Sequence, residues 1–335
     1  MSPIRHGRPR RRAARGFGLV ELLIGMSLGM VVIGVAIGAF LSVKRTATAL
    51  GASTIVSDLS QSAAAYLGLQ ILQAGYLDVM ASAEGATYLP MLDGFGAAPG
   101  AGSGDLLPSV HAGTHPGLRS IHGCDGSYAR VSSLLSYDCS GTNPLAASLS
   151  VAYQVLATPN GWPAHSLGSV FEPNRGFITD CGAMSPRAAD TPTANPAGDV
   201  VINRFYLDAS TGQLMCVGNG NPDAPVRLAG NIEQFQVEYG LPLPASGEAE
   251  AVARFVPAAV VDALGATAWS SVLSVQVCLL ARGEPGSIDR AASGTNLFVR
   301  DCAGRPVSTR DGALRRAHRF VFAVRNSVRS AVSLP

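Results

Sequence analysis

The chain has 335 residues with 25 Lys and Arg against 23 Asp and Glu, a formal charge of +2, and 14% charged residues overall. The basic residues gather at the two ends, which argues against a nucleic-acid surface, because neutralising phosphates needs cations clustered on a folded face. With 38 Gly and 21 Pro, the composition points to short strands and many turns around a core that this length is ample to bury.

Residues 1–16 hold Arg5, Arg8, Arg10, Arg11, Arg12 and Arg15, no acidic residue, and end at Gly16. This segment reads as a leader held in the cytoplasm. Residues 17–43 follow as a transmembrane helix. From Leu22 to Val43 the chain runs 22 residues without a charge, and as a helix at about 1.5 Å per residue these span about 33 Å, enough to cross a bilayer once. Six arginines before the span against Lys44 and Arg45 after it favour the N-terminus inside and the large C-terminal part outside. Glu21 stands one turn into the apolar stretch, where a carboxylate is costly unless paired or protonated. A plain signal anchor would leave that glutamate to reach the headgroups. Gly25 with Gly29 and Gly34 with Gly38 put small residues on helix faces that would admit a second helix closely.

Residues 44–76 contain no proline, and Val56, Leu59, Ala63, Tyr66 and Leu67 recur at three- and four-residue spacing, so the helix should continue as an amphipathic one with Gly75 as its C-cap. Residues 77–335 read as a β-rich domain with long loops at 85–117 and 185–198, where Gly, Pro, Ala and Ser dominate. Strands are expected at 148–157, 200–207, 213–217, 232–239, 271–280 and 320–324. In the fourth of these, Phe235, Val237 and Tyr239 alternate onto one face. Asp208 to Gly212 should form a hairpin turn. The fold class is therefore α+β, a long N-terminal helix packed on a mainly antiparallel sheet domain.

Six cysteines, Cys124, Cys139, Cys181, Cys216, Cys278 and Cys302, all lie beyond the apolar segment. Their even number permits three disulfides and fits an oxidising compartment, and no C-x-x-C pair supports zinc. Sequence neighbours Cys124 with Cys139 and Cys278 with Cys302 would close short loops. His111, His115 and His122 have partial metal-ligand spacing, but Pro116 and the nearby glycines favour a solvated loop, so no metal or other cofactor is expected. Asn219, Asn221 and Asp223 lack the trailing glutamate of a calcium loop and read as a turn. Arg315, Arg316, His318 and Arg319 read as a solvated face at the start of a strand. No G-x-S-x-G elbow or other catalytic constellation is present, so the chain is not expected to be an enzyme.

The run Arg15-Gly16-Phe17-Gly18-Leu19-Val20-Glu21-Leu22-Leu23 resembles the type IV prepilin processing motif, with Gly18 where the usual motif has Ser or Thr. The resemblance implies cleavage by a prepilin peptidase after Gly16, methylation of the new amino terminus at Phe17, and pairing of Glu21 with the terminal amine of a neighbouring subunit. Four further segments, Phe205 to Cys216, Leu228 to Gly240, Trp269 to Val277 and Leu314 to Asn326, look like PilW-type minor pilins in order and spacing. That implies a minor pilin that primes pilus assembly with other minor pilins, the major pilin and an inner-membrane assembly platform, serving motility, adhesion or DNA uptake. A minor pseudopilin of a type II secretion system is the nearest alternative. A membrane-anchored periplasmic enzyme and an adhesin contacting its receptor through residues 85–196 are the remaining rivals.

Overall fold

The computed structural model describes residues 18–75, 119–141, 143–155, 180–184, 199–242, 251–287, 299–307 and 311–327. The expected loops at 85–117 and 185–198 lie outside these residues, as do Gly16 and Phe17. The helix α1 runs from Leu19 to Gln73 without a break, as a stretch free of proline allows. The chain divides into two units, Met1–Gly51 and Ala52–Pro335.

In the first unit, every residue from Leu19 to Val43 except Gly29 is exposed. In the second, Ala52, Val56, Ser60, Ala63, Ala64, Leu67, Gly68, Gln70 and Ile71 are buried, a stripe with the spacing of one helix face. Of the expected stripe, Leu59 and Tyr66 are half-buried and the other three are inside. The helix ends where Gly75 takes φ +74°, a left-handed conformation that glycine adopts without a Cβ clash. The Asn326 side chain, from the far end of the chain, donates to the exposed carbonyls of Gln73 and Ala74, satisfying orphans the helix terminus would otherwise leave.

Two antiparallel sheets receive this stripe. The first orders β1 (Ile121–Cys124), β4 (Ser148–Val155), β5 (Asp199–Asp208), β6 (Gln213–Gly218) and β7 (Val226–Ala229) as β1-β4-β5-β6-β7. The second orders β8 (Ile232–Pro242), β9 (Val252–Val256), β10 (Ser274–Arg282) and β13 (Arg315–Ala323) as β13-β10-β8-β9. Short ribbons β2 (Ser127–Tyr128) with β3 (Cys139–Ser140), and β11 (Val299–Arg300) with β12 (Pro306–Val307), complete the described strands. The expected strand at 271–280 begins at Ser274, because Ala266–Ser271 forms a 3-10 turn, and the one expected at 320–324 begins five residues earlier, at Arg315. The β5–β6 hairpin closes as expected: Gly212 N–H donates to the Asp208 carbonyl, and the Asp208 carboxylate accepts from Ser210 and Thr211.

The core gathers Val56, Leu67 and Ile71 of α1 with Leu149, Val151, Phe205, Phe235, Val237 and Leu279 of both sheets. A buried polar clamp joins α1 to the first sheet, where the Gln70 side-chain oxygen accepts from the Tyr153 hydroxyl at 3.2 Å and the Asn203 amide at 2.8 Å. Disulfides link Cys124 with Cys139, Cys181 with Cys216, and Cys278 with Cys302, so the two short-loop pairs are present with a third across 35 residues. Each cross-link restricts the unfolded chain and contributes about 2–4 kcal/mol in the usual case.

Gly68 marks how closely the helix lies on its sheet, since a Cβ there would stand 2.5 Å from Cε1 of Phe322. By contrast, nothing lies within 4 Å of a Cβ at Gly29. Replacing Gly68 with Ala is therefore expected to cost about 1–3 kcal/mol by overpacking, while Gly29→Ala leaves the stability of the sheet domain unchanged. Denaturant unfolding of the two variants in detergent micelles checks the contrast.

Candidate functional site: the N-terminal helix

The first turn of α1 places Glu21 with its backbone N–H donating to the Gly18 carbonyl at 3.0 Å. A carboxylate in a first turn suits the positive end of the helix dipole. Beyond it, Leu22 to Val43 offers only two polar side chains, Ser27 and Ser42. The Ser27 hydroxyl returns to the Ile24 carbonyl at 2.9 Å, which silences one of them within the helix. The stretch meets the length and hydropathy of a single membrane span, with none of that window buried in the protein. Among the described residues no side chain pairs with the Glu21 carboxylate. Positions Gly25, Gly29, Gly34 and Gly38 all have open space where a Cβ would stand, so among the described residues no neighbour requires glycine at these four places.

Residues 11–37 match the family model described as Prokaryotic N-terminal methylation motif, and residues 204–326 match the one described as Type IV Pilus-assembly protein W. Over these two stretches the chain is similar to PilW-type type IV pilins. The second match runs from within β5 to beyond β13 and so takes in the whole four-stranded sheet. A type IV-like pilin from Thermus thermophilus shows 11% identity and a TM-score of 0.35, over 81% of this chain and 98% of that one, too distant a likeness to carry an argument. No curated protein matches the sequence.

Most other residues that the sequence singles out serve the fold, and several of their roles were not legible beforehand. His111 and His115 lie outside the described residues. His122 is no loop histidine: it is buried on β1, its ring centroid 4.5 Å from Trp269 and 4.8 Å from Tyr137. The Tyr128 hydroxyl donates to the His122 carbonyl and stands 3.0 Å from Nδ1. Among the described residues no group of three or more His, Cys, Asp or Glu gathers as metal ligands would. Asn219 holds a turn, its side-chain oxygen accepting from Ile202 N–H. The run at 315–319 is not a uniformly solvated face. Arg315 is buried and forked between Glu233 and Asp311, an arrangement that holds the Asp311 carboxyl well below the usual range, while Arg316 and Arg319 are exposed.

Arg204 was not anticipated. Its guanidinium is fully buried without a carboxylate and instead donates to the carbonyls of Arg130, Val131, Ser133, Leu134 and Ser136, with the Tyr128 ring 3.7 Å away. The four N–H groups on its two terminal nitrogens reach all five carbonyls, so at least one is shared, while Nε has no partner among the described residues; the fixed fork makes one side chain the organiser of a whole loop. No local pattern in Ile202-Asn-Arg-Phe205 signals this, since the partners are about 70 residues away in sequence.

Burial first, then Arg119 and Arg204, push the His122 pKa down to about 3. Asp262, 3.5 Å from Nε2, acts in the opposite direction, but it is half-exposed and already accepts from Trp269 Nε1, so burial prevails. Unfolding frees the ring to its ordinary pKa near 6.5. The unfolded chain thus binds a proton that the folded one refuses, and stability falls as pH drops from about 6.5 toward 3, by up to about 1.4 kcal/mol per unit. In His122→Gln that part of the slope should vanish between pH 6 and 4, as measured by denaturant unfolding at each pH.

Proposed function

We propose that the chain is a minor pilin of the type IV pilus, cut after Gly16 by a prepilin peptidase, methylated at Phe17, and built into the filament through its N-terminal helix. The observation that carries this reading is Glu21, the single charged residue of α1 from Leu19 to Val43, standing at its head within the span that matches the methylation motif. Two charges that are each expensive in hydrocarbon become tolerable together, and removing one strands the other. In this reading Glu21 meets the terminal amine of the neighbouring subunit, fixing register. Gly25, Gly29, Gly34 and Gly38, unconstrained by any described neighbour in the chain, let adjacent helices approach. The protein would sit in the bacterial inner membrane with its sheet domain in the periplasm, where other minor pilins, the major pilin and the assembly platform meet it. There it helps prime assembly for motility, adhesion or DNA uptake. The match over residues 204–326 favours a pilus over a secretion pseudopilus.

Glu21→Ala tests the pairing. Membrane insertion and leader removal should be unchanged, while the amount recovered in sheared filaments drops about tenfold or more, because a partner's amine left alone in hydrocarbon costs about 3–5 kcal/mol. Quantitative immunoblotting of filament and membrane fractions reads both quantities. Unaltered recovery in filaments would remove Glu21 from assembly.

A further inference from the structure

A cleft of about 730 Å³ opens between the β11–β12 ribbon and the start of β13, with Ser53 of α1 on its wall. Arg300, Arg316 and Arg319 line it, and all three are exposed. Among the described residues none of the three lies within ion-pair distance of a carboxylate. The acids nearby are already engaged. Asp311 and Glu233 both hold Arg315, and Asp301 accepts from the Arg305 backbone and side chain and from Gln234.

This concentration of positive charge runs against the rest of the chain. Six arginines in residues 1–16 exceed the whole chain's +2, which leaves residues 17–335 at a formal charge of −4. Like charges gathered without counter-ions repel, so such a cluster persists where something else repays its cost.

Two of the three guanidiniums are also held in place. Arg300 donates one N–H to the Gly304 carbonyl at 2.7 Å, and Arg319 donates one to the Cys302 carbonyl. Both carbonyls belong to the turn fixed by the Cys278–Cys302 disulfide and by the Asp301 and Arg305 backbone bonds. Each arginine has five donors, so most remain free to face a ligand. A carboxylate offers two oxygens and one charge, which a single guanidinium fork satisfies. Several converging forks suit a phosphate, which has more acceptor oxygens and more charge. The volume falls in the range of small-ligand sites.

We propose that this cleft binds a phosphate group, carried either by a soluble compound or by a lipid headgroup. The test uses the full chain in nanodiscs of phosphatidylcholine, titrated calorimetrically with inorganic pyrophosphate. Saturable binding is expected, with affinity reduced at least about tenfold in Arg316→Gln/Arg319→Gln and weakened by added salt. Circular dichroism confirms that this surface variant folds, and Arg300→Gln supplies an independent second reading. Repeating the titration in discs containing phosphatidylglycerol separates the sources: competition by the anionic lipid assigns the headgroup, and unchanged affinity assigns a soluble phosphate. No saturable binding, or equal binding by the Arg316/Arg319 and Arg300 variants and the unaltered chain, would overturn the proposal.

Discussion

From Leu19 to Gln73 one unbroken helix has to satisfy two different surroundings, and the chain's other features are organised by that requirement. A helix can enter hydrocarbon because all its backbone groups are bonded within it, and the first part of α1 adds almost nothing polar beyond a serine that bonds its own backbone. Glu21 breaks that rule. A residue so costly at that depth calls for a partner, and no described side chain answers the carboxylate. From Ala52 onward the same backbone meets a different demand, and its small and aliphatic residues turn one stripe into the core.

The sheet domain resolves a complementary problem. Its two main sheets share their core with α1 and with Ala258 and Val261 of a second, short helix. Loops are tied down by contacts between segments distant in sequence, including the Arg204 fork into five carbonyls, three disulfides, and Asp125, whose carboxylate accepts the Ala258 and Ala259 N–H groups at the start of the short helix α2 (Ala258–Ala263). The last is a capping interaction supplied from 133 residues away, a substitute for the side-chain cap that Pro257 cannot give. These devices spend little surface, which leaves the outer faces open.

Much of this was legible in the sequence where it is periodic. Absence of proline with three- and four-residue spacing located α1, and the alternation of Phe235, Val237 and Tyr239 located β8, because both patterns report which face is buried. Short elements escaped. Strand β1 reads Ile-His-Gly-Cys and is buried along its whole length, so it has no alternation to detect, while β7 and β9 are edge strands with mostly exposed residues. The roles of Gln70, Arg204 and Arg315 were illegible for another reason: their partners are brought close by the fold across roughly 70 to 130 residues. His122 misled because its spacing from His111 and His115 suggested a common loop, whereas its neighbours are aromatic residues from three other segments. The proposed assembly residues at 16, 17 and 21 were readable as a motif and not as geometry, since the first two lie outside the described residues and no described side chain pairs with the Glu21 carboxylate.

The most direct measurement is the intact mass and N-terminal fragmentation of the protein isolated from the membranes of cells that make it. A chain beginning at N-methylated Phe17, without the arginine-rich first sixteen residues, is the expected result. A chain that keeps those residues, or begins at an unmodified position elsewhere, would contradict the account of how the Glu21 carboxylate finds its partner.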